Sequence, residues 1–106
     1  MKLLPILAAA LVASLGVTPG HAANVKRGGA LAKQRCAACH AIGPRGASPN
    51  ITAPTFRRIA NQWPVEQLQE AFAEGITTGH GPMPEFAFSP ADIDDLLAYL
   101  GKLRRR

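Results

Sequence analysis

An all-α fold is predicted for this chain from three observations. No segment of it reads as a strand. Helix-opening chemistry recurs along the sequence, at Asn24, at Trp63-Pro64 and at Ser89-Pro90. The stretches between these points, 41–55 and 76–88, are rich in Gly and Pro, which interrupt regular structure rather than extend it.

Residues 1–22 read as a signal peptide. Lys2 gives the positive start, and Leu3 to Val17 is an apolar run broken only by Pro5, Ser14 and Gly16. Gly20-His21-Ala22 places small residues at the two positions that signal peptidase reads. Cleavage is expected after Ala22, with Ala23 as the near alternative. The competing reading is an uncleaved anchor, but about 15 apolar residues fall short of the ~20 that span a bilayer. Residues 23–106 then form one domain, small enough that its core is marginal without a staple.

The helices follow in order. Val25 to Arg35 is expected to be helical, capped by Asn24 and favoured by Ala30, Leu31 and Ala32. Gly28 and Gly29 are poor helix formers. Close approach of another helix explains them, and fraying near a new N-terminus is the alternative. Residues 41–55 are loop, and Phe56 to Asn61 is read as a helical turn. A further helix opens at Trp63-Pro64 with Pro64 in first position. Val65, Leu68 and Phe72 recur at helical spacing, Glu66, Gln69, Glu70 and Glu74 face water, and Gly75 stops the run. The last helix is the best signalled: Ser89 caps it, Pro90 takes the first turn and Asp92 completes a Ser-x-x-Asp box. Ile93, Leu96, Leu97, Leu100 and Leu103 form its apolar stripe.

The only cysteines stand in Cys36-Ala37-Ala38-Cys39-His40, a C-x-x-C-H run. That is the attachment signature of a c-type haem. Each thiol adds to one porphyrin vinyl group, and two intervening residues on a helical turn bring both sulfurs to one side of the ring. His40 then stands where its imidazole can reach the iron. A thioredoxin-like pair would need a preceding strand. A zinc site would need four ligands from a set that adds only His21 and His80. A structural disulfide would leave His40 without a role. One such motif means one covalent haem c, and its attachment requires an exported chain, in agreement with the leader.

With His40 as one axial ligand, the second decides the chemistry. Residues 23–106 offer His80 and Met83. Met83 sits between Pro82 and Pro84, which pre-set the backbone and can hold a thioether at the iron. Met as core filler is the plain alternative.

Taken together, these residues resemble the small bacterial class I cytochromes c. The shared pattern is Gly28-x-x-Leu31-Ala32 before Cys36-x-x-Cys39-His40, the Pro-rich loop, Met83-Pro84-x-Phe86, and a final helix with Ala98-Tyr99-Leu100. The resemblance covers essentially all of 23–106. It implies N- and C-terminal helices crossing around one covalently bound haem, with Met83 as sixth ligand. It also implies that Tyr99 packs at the crossing over Gly28, and that a loop proline accepts the proton of the ligand histidine. Pro44 and Pro54 are the candidates, with Pro54 favoured. The family often has an aromatic residue where this chain has Ala32, and it does not require His80. Trp63 and Arg57 are candidates for a propionate contact.

The implied function is that of a periplasmic single-electron carrier, cycling Fe(II) and Fe(III) between redox protein partners and turning over no substrate. The alternative is a haem-based gas sensor or haem enzyme in which Met83 leaves the iron and His80 acts. A permanent subunit of a dehydrogenase or oxidase is a third reading. Of the twelve Lys and Arg only Lys2 leaves with the leader, so about +4 remains before the propionates. Neither aromatic interleaving nor a motif points to nucleic acid. The basic surface, with Lys33, Arg35 and Arg45 near the expected haem edge, suits acidic redox partners, and no stable membrane insertion is expected after cleavage.

Overall fold

Four helices form where capping chemistry and apolar spacing coincide. The computed structural model describes residues 22–75, 83–84 and 86–105. They build α1 (Val25–Arg35), α2 (Phe56–Gln62), α3 (Val65–Glu74) and α4 (Pro90–Lys102), with no strand among the described residues. The expected leader, Ala22 apart, lies outside the described residues, as do His80 and Pro82.

The caps account for the starts. The Asn24 side chain accepts from the Arg27 backbone N–H at 2.9 Å. Ser89 Oγ accepts from Asp92 N at 3.1 Å while Asp92 Oδ2 accepts from Ser89 N at 3.2 Å, a reciprocal box. Two boundaries differ from expectation. Phe56 opens a full seven-residue helix capped by Thr55, not a single turn. Pro64 is the N-cap of α3 and not its first helical residue; it supplies no side-chain acceptor, and Gly75 closes the helix at a φ of 91°.

Helix α4 is the hub. It packs on α1 most extensively, and also on α2 and α3. The core joins Leu31, Ala32 and Cys36 to Phe56, Ala60, Leu68, Leu96 and Leu100. Glycine sets the α1–α4 distance. A Cβ at Gly28 would stand 1.9 Å from the carbonyl oxygen of Asp95 and 3.0 Å from Tyr99 Cβ. One at Gly29 would meet the Tyr99 ring at 3.1 Å. The two glycines are therefore a crossing, not a frayed end.

A polar lock closes the same crossing. Asp95 is fully buried on α4, with 0 % exposure. It accepts from Arg27 Nη1 at 2.6 Å and from the Asn24 backbone N–H at 2.7 Å. Arg27 Nη2 reaches Asp92 at 2.6 Å. These contacts, with Asp95 foremost, hold the Arg27 guanidinium firmly protonated, and Arg27 in turn holds the Asp92 carboxyl below the usual carboxylate range.

Gly28→Ala is expected to lower the thermal midpoint. The clash is with backbone, which yields only by shifting α4, and overpacking of this kind costs about 1–3 kcal/mol or more. The helix-propensity gain of roughly 0.5–1 kcal/mol does not offset it. A melt at or above that of the parent protein would show that the crossing is loose.

Candidate haem site

The site grows out of the end of α1. Beyond Arg35 the chain continues to turn: the backbone N–H groups of Cys36 and Ala37 both reach Ala32 O, at 2.9 and 3.0 Å. Cys39 and His40 then donate to Cys36 O at 3.2 and 2.9 Å. Both thiols are free. They leave one turn three residues apart, the spacing that puts two sulfurs on one side of a flat ligand. Burial pushes the Cys36 thiol up to about 11, with nearby Arg35 opposing the shift.

His40 is buried at 6 % exposure, and its ring orientation is fixed from two sides. Its Nδ1 lies 2.6 Å from the carbonyl oxygen of Pro54. A carbonyl can only accept, so the proton sits on Nδ1 and Nε2 is left with the lone pair, the form a metal ligand needs. Of the two candidate prolines, Pro54 makes the contact. The Phe56 ring lies 5.5 Å from the imidazole at a 56° tilt.

The loop that brings Pro54 there is braced by its own polar groups. Ser48 Oγ accepts from Ala41 N at 3.0 Å. Asn50 N donates to Cys39 O at 3.1 Å, and Phe56 N donates to Ala41 O at 2.8 Å. Tyr99 adds a tie from α4, its hydroxyl donating to Ile42 O at 2.6 Å. The packing role of Tyr99 was expected from the sequence; this hydroxyl bond, spanning 57 positions, was not.

One cleft gathers the candidates. Cys36, Cys39 and His40 line it with Met83, Pro84 and Phe86 from the segment before α4, and Arg35, Asn50 and Ala53 complete much of its wall. Met83 is half-buried there. Two thiols, an imidazole and a thioether around one largely apolar cleft are the donor set that a covalent haem requires. Lys33 and Arg45 are exposed and stand outside the lining, which takes Arg35 alone of the three expected rim cations. Arg57 and Trp63 stand outside it as well. Arg57 Nη2 donates to Gly46 O at 2.8 Å, and Trp63 borders a different surface depression.

Two contacts were not foreseen. Asn50 fixes the loop through its backbone. Arg35 lies over the rings of Phe86 and Phe88, at 5.9 and 6.0 Å from the centroids. The only signal for the second was the aromatic pair itself, separated from Arg35 by half the chain.

Residues 23–100 match the family described as cytochrome C oxidase, cbb3-type, subunit III. The chain belongs to this cytochrome c family. Cytochrome c-552 of Bradyrhizobium diazoefficiens is 32 % identical over 83 residues, covering 78 % of either chain. Cytochrome c6 of a Picosynechococcus species is 35 % identical over 89 residues, covering 78 % of this chain and 76 % of the relative. No solved structure matches significantly. The cytochrome is thus a small class I, monohaem protein of cytochrome c-like fold, a haem-based electron carrier with haem c as its covalent cofactor.

Proposed function

We propose that this cytochrome shuttles single electrons between redox proteins in the periplasm, with Cys36 and Cys39 forming the thioethers and His40 and Met83 the axial ligands. Haem c, when bound, supplies a ferrous/ferric couple. The protein's part is to hold its donors still. Pro54 fixes the His40 tautomer and Phe56 its ring plane, so that little reorganises when the charge on the metal changes. The soft Met83 sulfur favours the ferrous state. The observation that carries the reading is that Met83 shares one cleft with Cys36, Cys39 and His40. A protein thioether in the sixth position leaves no place for a substrate, which favours a carrier over a gas sensor or haem enzyme.

The ferric spectrum of the haem-loaded protein tests this directly. A weak far-red band from a thioether–iron bond is expected; its absence in the parent protein rejects Met83 as the ligand. A periplasmic location rests on the reading of residues 1–22, and intact mass of the exported protein checks the start at Ala23. No helix among the described residues is long and apolar enough to cross a membrane. Acidic redox partners fit the positive charge, with Arg35 at the cleft itself.

A second reading has one specific support. The matching family is described as an oxidase subunit. A permanent place in an oxidase would keep the same ligands and replace transient docking by a stable interface. Purification from mild detergent separates the two: a free carrier elutes alone, a subunit with its complex.

A further inference from the structure

The segment that carries Met83 has neither helix nor strand at its described positions, from 83 up to Ser89. Its restraint comes from rings. Phe86 and Phe88 lie 5.7 Å apart at 39°, and Phe88 meets Phe72 of α3 edge-on, at 5.9 Å and 87°. Over the first two stands a single cation, the guanidinium of Arg35, about equally far from both centroids.

Arg35 is the last residue of α1 and the neighbour of Cys36. It lines the same cleft as Met83, Pro84 and Phe86. One side chain thus joins the rigid helix that leads into the attachment turn to the irregular segment on the other side of the cleft. A planar cation spread over two ring faces is attracted by both quadrupoles, and it restricts sliding of the segment more than a point charge would.

We propose that Arg35 is a positioning residue for Met83: it latches the Phe86–Phe88 pair to the end of α1 and so keeps the thioether at the metal. This rests on Met83 being the sixth ligand. Loss of the latch leaves the Cys36, Cys39 and His40 side intact and raises the fraction of time that Met83 is away.

Competition by an added ligand reads that fraction. Imidazole is titrated into the ferric, haem-loaded parent protein and into Arg35→Leu, Arg35→Lys and Lys33→Leu. Lys33 is the control, since it shares the last turn of α1 and stands outside the cleft lining. Arg35→Leu is expected to bind imidazole about two- to fivefold more tightly, the span of one exposed cation–π contact. Arg35→Lys should recover part of the difference, and Lys33→Leu should match the parent. Amide exchange at Met83 to Phe88 should quicken in Arg35→Leu alone. Equal effects of the Arg35 and Lys33 changes would reduce the role to helix charge and overturn the proposal, as would unchanged imidazole affinity in Arg35→Leu. A parent protein without the far-red band would instead remove Met83 as the ligand, and the latch with it.

Discussion

Met83→Ala is expected to leave haem covalently attached while opening one axial position. In the proposed assignment, attachment and the first ligand come from Cys36, Cys39 and His40, which the change does not touch, and His40 keeps its bond to Pro54. Four effects should appear together. The far-red ferric band should vanish. Carbon monoxide, which the parent protein should exclude, should bind the ferrous form stoichiometrically. The reduction potential should fall, because the soft ligand that favours ferrous iron is gone. The thermal midpoint should fall only modestly, because Met83 is half-buried and outside the central cluster. His80→Ala is expected to do much less. If that change alters the ferric spectrum and Met83→Ala does not, the ligand assignment is wrong and a switching haem becomes the better description.

Cys36→Ser combined with Cys39→Ser should abolish covalent haem and leave little folded protein. The core cluster is small: among the described residues it joins eight buried residues, of which Ala32, Ala60 and Cys36 contribute few atoms. Cys36 is itself a core member at 9 % exposure, so the change places a hydroxyl against the apolar cluster. A domain of this length has a net stability on the order of 5–10 kcal/mol at best. Removing a large apolar disc against which helices pack takes away a comparable amount. Far-UV circular dichroism should show reduced helix without a cooperative melt. A helical double variant that melts cooperatively would mean that the α1–α4 crossing suffices alone, and that haem is not the staple.

Local chemistry was readable where it was dense. The Ser89–Asp92 box lies within one turn, and the cap geometry matches the spacing. Gly28 announced a close crossing because a glycine inside a helix costs stability unless something needs the space, and the Asp95 carbonyl occupies it. Helix α2 was underestimated for the opposite reason. Its buried residues are only Phe56 and Ala60, one turn apart, too few to establish a period, and its Thr55 cap sits beside Pro54 in a loop-like setting. Pro64 was misplaced by one residue because proline satisfies the backbone requirements at either position.

Long-range polar chemistry was hidden altogether. Asp95 interrupts the apolar stripe of α4 and reads as a solvent position; it is fully buried because Arg27, 68 residues earlier, and Asn24 come to meet it. At the site, the C-x-x-C-H run and the Met-Pro-x-Phe segment named candidate donors that the fold brings to one cleft. The brace around them, from Tyr99 to Ile42 and from Arg35 to the phenylalanines, depends on the fold bringing distant segments together.

The α1–α4 crossing also imposes an order of events. Chains are made from the N-terminus. The cysteines of 36 and 39 therefore emerge long before Pro90 to Lys102, the helix that closes over α1. Until those last turns arrive, α1 has no partner for its glycine face, and Arg27 has neither Asp92 nor Asp95 to bind. The loop to be closed is long, and its entropy must be met before any of these contacts forms. Cys36, which shares the core cluster with Leu96 and Leu100, is thus uncovered while the chain is being made and becomes a core residue only after α4 packs.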